Sequence, residues 1–426
     1  MYDEQRGAGS GITLKVVTQM AAAESTWRAF EQHADFTVFQ KFDWLDEWST
    51  HIGNRLGIIQ AIVFAVDTDG ELLLILPFAI KKQGLLRRLI WLGGDLNDYN
   101  APLLSPTFSA CMSQGRFALL WREICRAIWA DPRLRFDIID LDRMPEWIGP
   151  QRNPFLVLRL LPNTYGAYVT KLGKTWEEFY SKKISSKSRK NDRKKFKSLA
   201  KYGKLQFVDV HEKEDMERTI AALIKQKGKS YAKLGVEDIF NRPGYCQFFK
   251  AIAVNPGLRD TVHLSRLDVD NQPTATALGL GFKSRYYLVL SSYEDNEIAK
   301  YSPGRAHLHG MMRHAIEREY NEFDFTIGDE MYKKEWSDLE IRLFDYLQGE
   351  TAGGRLAAAV GVTARHVQLF VCERPALRRP LSKLRRLLIA FNARRRSGQV
   401  LESGRIRHVK QGEGGVDLDE KPLPGW

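Results

Sequence analysis

The sequence predicts an α+β protein in which one unit of mixed sheet and flanking helices occurs twice, followed by a basic helical tail. Two observations carry this reading. A hairpin, a third strand, a helix and a closing strand follow one another in the same order in each half, and both closing strands open on Phe-Asp, at Phe136-Asp137 and Phe323-Asp324. Past residue 350 the pattern gives way to a glycine-bearing stretch and then to arginine-rich sequence.

In the first half, residues 58–66 and 72–80 are strand-like and are joined by the turn Asp67-Thr68-Asp69-Gly70. Leu89-Ile90-Trp91-Leu92 runs into Gly93-Gly94. Phe117, Leu120, Trp121, Ile124, Cys125 and Ile128 then recur at helical spacing. Asp131-Pro132 closes that helix, and 136–141 reads as the last strand. In the second half, 262–267 and 274–282 form the hairpin and 286–291 the next strand. Leu308, Met311, Met312, Ala315 and Ile316 mark one buried helix face before the strand that opens at Phe323. Between the halves, 175–201 is helical in composition, with Trp176, Phe179, Tyr180, Phe196 and Leu199 on an apolar side. The expected divisions are a flexible 1–12, a first half at 13–165, a second half at 166–350 and a basic, helical to disordered tail at 351–426.

Composition narrows the classes. Hydrophobic residues make up 44%, as in ordinary globular proteins, and the apolar runs are about half the ~20 residues of a membrane span. The start, Met1-Tyr-Asp-Glu-Gln-Arg-Gly, does not read as a secretory signal. Cys111, Cys125, Cys246 and Cys372 lack metal-site spacing and are expected to be reduced, buried thiols of a cytoplasmic protein. The net charge of +12 is concentrated. Residues 182–204 hold eleven bases against one acid, and 365–410 hold thirteen against two, which leaves the remainder acidic. Basic helices are usually solvated faces, and the first of these has few aromatics to stack on bases, so nucleic-acid binding is the weaker reading.

Familiar motifs fall away. Gly279-Leu280-Gly281 lies inside a strand and opens no helix, so it is not a dinucleotide fingerprint. Gly173-Lys174-Thr175 and Gly228-Lys229-Ser230 lack the first glycine of a phosphate loop. His307, His309 and His314 do not have zinc-ligand spacing and are expected on the polar sides of their helix, with no metal.

Three stretches remain. Tyr301, Ser302, Pro303, Gly304, Arg305 and Ala306 precede the amphipathic helix, where free N–H groups, the helix dipole and an arginine suit a pyrophosphate. The same residues also fit a helix entry with no ligand. Asp98, Tyr99 and Asn100, in a polar loop after Gly93-Gly94, are candidates for holding an acceptor, or they form a turn. The last stretch follows the closing strand: Gly328, Asp329, Glu330, Met331, Tyr332, Lys333, Lys334, Glu335 and Trp336. It reads either as a reactive cluster or as a surface helix with Tyr332 and Trp336 packed at i, i+4.

A hairpin, strand, glycine-bearing loop, helix and strand resemble the core of the GNAT (GCN5-related) acyltransferases. Gly304-Arg305-Ala306 matches the end of that family's pyrophosphate loop, although Tyr301 stands where Gln or Arg is expected. Asp324, Gly328, Tyr332, Lys333 and Trp336 match D-x-x-x-G-x-x-x-Y-K-x-x-W of the CelD-like (BioF2-like) GNAT proteins, which are related to the Fem-type aminoacyltransferases. The resemblance covers roughly 13–350. It implies a tandem GNAT-like fold and direct acyl transfer from acetyl-CoA or another acyl-CoA to an amine or hydroxyl of a small molecule or saccharide, in polysaccharide, cellulose or cell-envelope synthesis. Residues 301–306 would bind the donor, and backbone near 288–292 would stabilise the oxyanion. Asp329, with Tyr332 and Lys333, would handle protons, and Trp336 would wall the acceptor site. The family's breadth leaves an aminoacyl-tRNA donor as one alternative, and a non-catalytic nucleic-acid- or membrane-binding protein is the other. Leu381, Leu384, Leu387, Leu388 and Phe391 fall near one face of a basic tail helix. That face fits either docking on an anionic membrane, at its inner side, or packing on the enzyme body.

Overall fold

A computed structural model of the chain describes residues 5–6, 11–328 and 330–372. Strand β1 (Thr13–Val17) leads into helices α1 (Met20–Glu31) and α2 (Phe42–Trp48). The first hairpin is β2 (Ile59–Val66) and β3 (Leu72–Gln83), followed by β4 (Leu86–Trp91), α3 (Gln114–Ala130) and β5 (Ile138–Pro145). Then come β6 (Ala167–Lys171), α4 (Trp176–Lys183), α5 (Ser186–Leu199), β7 (Leu205–Val210), α6 (Lys213–Leu234) and α7 (Tyr245–Val254). The second hairpin, β8 (Val262–Val269) and β9 (Gln272–Phe282), is followed by β10 (Arg285–Tyr293), α8 (Pro303–Glu317) and β11 (Glu322–Ile327). Helix α9 (Met331–Trp336), β12 (Leu343–Gly349) and α10 (Ala352–Cys372) complete the described chain.

The two sheets repeat one plan. The first orders its main strands β1-β2-β3-β4-β5-β12 and the second β7-β8-β9-β10-β11-β6. In each, antiparallel hairpin strands are followed by one parallel pair, β4 with β5 and β10 with β11, and the crossover between them carries a helix. This is the duplicated α+β architecture expected from the order of elements.

One strand crosses between the halves, which the sequence did not reveal. β6, at the start of the second half, pairs with β11 in the second sheet, but β12, at the end of that half, pairs with β5 in the first. A boundary at 350 therefore does not separate the sheets, because residues 343–349 belong to the first. Hydrophobic pattern identifies a strand but says nothing about which edge it joins.

Strand alternation divides the core. Ile62 and Ile75 of the first sheet and Leu278 and Leu280 of the second join one apolar cluster with Phe39, Trp44 and Phe248, so the two halves share a core. The opposite face of the first sheet packs under α3 through Phe78, Trp91, Phe117 and Trp121, and that of the second under α8 through Ala277, Leu288, Leu308 and Met312. The helical stretch after Thr175 is two helices. The break falls at Ile184 and Ser185, where the Ser185 hydroxyl accepts from the Ser188 N–H and caps the second helix. Cys111 is exposed and Cys125 and Cys246 are half-buried, so the expectation of buried thiols fails for Cys111. The tail segment proposed for membrane docking lies outside the described residues.

Candidate active site

β10 and β11 pair at only three positions, Arg285 with Glu322, Tyr286 with Phe323 and Tyr287 with Asp324. Beyond them the strands part, and local backbone explains why. The register of β10 against β9 shifts between Leu290 and Leu288, which makes Val289 an extra, bulged residue. On the other side Thr326 takes a left-handed φ of 59° and Gly328 a φ of 150°. The Thr326 hydroxyl donates to the Leu288 carbonyl at 3.2 Å across the opening. Beside this gap lies a cavity of about 350 Å³, lined among others by Lys227, Ser291, Gly304, His307, Glu330 and Tyr332.

The N-terminus of α8 enters the same cavity. Ser302 has φ 60° and its side chain does not cap the helix; its hydroxyl instead accepts from Lys195 Nζ of α5 at 2.9 Å. Pro303 occupies the first helical position, and the Gly304 N–H has no acceptor within the helix. A Cβ on Gly304 would lie 2.9 Å from the Tyr293 ring, so glycine lets the helix start close to the parted strand. Of the six residues predicted to bind the donor, Ser302, Gly304 and Arg305 line the cavity. Tyr301 packs on Tyr202 with ring centroids 5.6 Å apart, and Ala306 packs against a small apolar cluster around Leu267.

Arg305 departs from its expected role. Its guanidinium donates to Asp192 at 2.8 Å and to Glu335 at 2.8 and 3.1 Å, and lies 5.2 Å from the centre of the Trp336 ring. Burial alone would depress its pKa, but Glu335 and Asp192 more than reverse that. It ties α5, α8 and α9 together.

After β11, Tyr332 faces the cavity and Lys333 turns away. Burial, with Glu330 nearby, holds the Tyr332 phenol protonated well above its ordinary range, while a hydrogen bond with Ser291 acts in the opposite sense. Lys333 is buried and donates to the Ile327 carbonyl at 2.7 Å, with Glu330 at 3.1 Å, so it caps the end of β11. Asp329 lies outside the described residues. Trp336 is fully buried and stacks with Trp176, Phe179 and Tyr180; it belongs to the core under α8 and not to an acceptor wall. Its indole meets α4, an element far away in sequence, which spacing within one segment does not show.

The loop from the first half reaches this site from below. Tyr99 and Asn100 are buried: the Tyr99 hydroxyl lies 2.9 Å from both carboxylate oxygens of Asp324, and Asn100 Nδ2 donates to the Asp142 carbonyl at 3.1 Å. They brace the fold and do not face an open cleft. Asp98 does not line the cavity either but lies near Thr326, Lys333 and Glu330 at the end of β11. Burial raises its pKa against the fields of Arg143 and Lys333 and a hydrogen bond with Thr326, while Glu330 adds to the rise.

Several lining residues were not assigned to the site from sequence, among them Lys227, Glu330 and His307. Lys227 comes from α6, and burial lowers its pKa although Glu330 opposes this. Its spacing in the helix resembles that of any solvated lysine, and no sequence signal marks it. Glu330 and His307 also reach the cavity. His307 is 1% exposed, hydrogen-bonds Ser265 at 3.0 Å and, through burial, has a pKa lowered to about 3. His309 and His314 are also packed inward, with side chains 12% and 13% exposed. The expected solvent-facing roles are wrong because α4, α5 and the β7–β8 pair cover sides of α8 that lack apolar residues.

Residues 186–334 match the family model described as an acetyltransferase (GNAT) domain. No curated protein matches the sequence. Among solved structures, FemX is similar with 13% identity over 76% of this chain and 96% of its own, at a TM-score of 0.52. A conserved protein of unknown function from Bacteroides thetaiotaomicron has 9% identity over 81% of this chain and 99% of its own, at 0.48. L-PGS from Bacillus licheniformis has 11% over 79% and 95%, at 0.47. The likeness to FemX concerns the fold, a tandem GNAT-like α+β arrangement of two mixed sheets with flanking helices; the other two are too distant to bear an argument.

Proposed function

We propose that the protein is an acyltransferase that binds a coenzyme A thioester between the parted ends of β10 and β11 and transfers its acyl group directly to an amine or hydroxyl. The observation that carries this reading is the meeting of the strand gap, the start of α8 and the cavity at one point. The early N–H groups of α8 favour a pyrophosphate, and Lys195 at Ser302 adds positive charge at that end.

Direct transfer needs orientation, donors for the developing oxyanion and a route for two protons. Backbone N–H groups of the bulged part of β10, near 288–292, would serve as the oxyanion donors. Tyr332, held protonated by burial, donates to the leaving thiolate. Lys227, with its depressed pKa, accepts the proton of the attacking group, and Asp329 is the second candidate for that role. A saccharide of the cell envelope or of an exported polysaccharide is the acceptor class proposed, with Asp98, near the end of β11, a candidate to hold it. Calorimetry of the full chain with acetyl-CoA tests the reading; the absence of binding at millimolar ligand rejects it.

An aminoacyl-tRNA donor is a second reading. One observation favours it: α5 carries Lys187, Arg189, Lys190, Arg193, Lys194, Lys195 and Lys197 and reaches the start of α8. Tight, steeply salt-dependent tRNA binding without coenzyme A binding would select it.

A further inference from the structure

Helix α8 carries a second polar cluster at its other end, eleven residues and roughly 16 Å from Pro303 at 1.5 Å per residue. Asp209 of β7 stands opposite Ser265 of β8, and the pleat puts His263, two residues earlier, on the same face. His314 of α8 covers that face. Its ring stacks on His263 with centroids 4.0 Å apart and planes within 2°. Asp209 Oδ1 lies 3.1 Å from His263 Nε2, and Oδ2 lies 3.3 Å from His314 Nδ1.

Three features set this cluster apart from an ordinary network of ion pairs. Asp209 Oδ1 and His263 Nε2 are both buried and lie 3.1 Å apart, yet neither makes a well-directed hydrogen bond. A buried acceptor and a buried ring nitrogen left without such a bond are costly unless a further group binds both. Next, His263 Nδ1 lies 2.7 Å from the Tyr286 hydroxyl. If Nδ1–H donates there, the lone pair sits on Nε2 and points at Asp209, which is the outer-shell arrangement that orients a metal-binding imidazole. Room for this is built into the neighbouring strand. A Cβ on Gly279 would lie 2.1 Å from the Tyr286 hydroxyl, and one on Gly281 would lie 1.9 Å from that of Tyr320. Gly279-Leu280-Gly281, which matches no nucleotide fingerprint, thus clears the path of the two tyrosines.

Spacing agrees with the same chemistry. Two ligands held about 2.0–2.1 Å from one tetrahedral ion lie roughly 3.4 Å apart. The three side chains offer ligand atoms that all lie within 4.8 Å of one another. In the stack the two imidazole planes are parallel, so joint metal binding requires the rings to open from it.

We propose that Asp209, His263 and His314 bind a divalent transition-metal ion through one carboxylate and two imidazoles, with zinc the best match to that donor set. The more exposed His211, 3.3 Å from Asp209 Oδ2, is placed to supply a fourth ligand. Otherwise the open position faces a cavity of about 290 Å³ lined by Arg259, Arg318 and Tyr320. The ion would fasten β7 and β8 to the far end of the helix whose start forms the candidate donor site.

The test uses the full chain, stripped with a chelator and reloaded with Zn(II) or Co(II). Expected are about one ion per chain retained through gel filtration, by mass spectrometry of the metal, and the visible absorption of four- or five-coordinate Co(II), displaced by Zn(II). Asp209→Asn and His263→Gln should each cut retained metal about tenfold or more. Wild-type protein that retains no more than a trace, or folded variants that retain as much as wild type, would overturn the proposal. Should the variants not fold, the wild-type Co(II) spectrum decides: the weak absorption of six-coordinate aqueous Co(II) would also overturn it.

Discussion

The Tyr99 hydroxyl lies 2.9 Å from each carboxylate oxygen of Asp324, joining residues 225 apart in sequence. Asp324 is also held by the Thr326 N–H at 2.8 Å and by Arg285 Nη1 at 3.3 Å. Its partner in the sheet, Tyr287, is the last before β10 and β11 separate. The first half of the molecule therefore holds the root of the cleft that the second half opens.

Tyr99→Phe keeps the ring and deletes the donor. A hydrogen bond to a buried carboxylate contributes about 1.5–3 kcal/mol. The variant should unfold at lower urea with an unchanged slope, and an unchanged midpoint would refute the bracing role.

Asp324 also makes stability depend on pH. Burial raises its pKa from 3.8 to about 6, although Arg285, the Thr326 N–H and Tyr99 oppose the shift and Asp98 adds to it. The unfolded chain therefore releases this proton at lower pH than the native state. The group's contribution is most favourable below the ordinary carboxylate pKa and is lost as pH rises toward 6; a shift of about two units amounts to something on the order of 3 kcal/mol. Against Asp324→Asn as reference, wild type should lose relative stability between pH 4 and pH 6 and change little above pH 7. A pH-independent difference in unfolding free energy would contradict this.

Gly304→Glu puts a side chain against Tyr293 and a negative charge at the start of α8. Acetyl-CoA affinity should fall at least about tenfold, roughly 1.4 kcal/mol. Equal affinity in a folded variant would remove the donor from this place.

Tyr332→Phe should reduce turnover about 10²-fold while the melting temperature and acetyl-CoA affinity hold, as expected of a proton donor used in the transition state. Retained turnover would leave Tyr332 as a lining residue only.

Lys333→Met tests the opposite assignment. Its ammonium caps the Ile327 carbonyl from a side chain 6% exposed, so the loss should appear as about 1–3 kcal/mol of stability. Normal stability with abolished turnover would restore a chemical role to this lysine.

Short-range order was legible in the sequence alone. The period of Leu308, Met311, Met312, Ala315 and Ile316 marks the buried face of α8, and the turn at Asp67 to Gly70 marks the first hairpin, because both signals depend on residues a few positions apart. The start of α8 was recognisable for the same reason: proline and glycine at a helix entry act through their own backbone. What the tertiary structure decided was every role that depends on a distant partner. Arg305 pairs with Asp192, Trp336 stacks on Trp176, and Tyr99 holds Asp324, although each was expected at a ligand. Lys227 and the pair His263 and His314 carried no local mark, because burial and electrostatic neighbours arise only when separate strands and helices pack together. Residue spacing along one segment describes which face is apolar; which charge meets which is settled by the sheet edge a strand joins and the element laid across it.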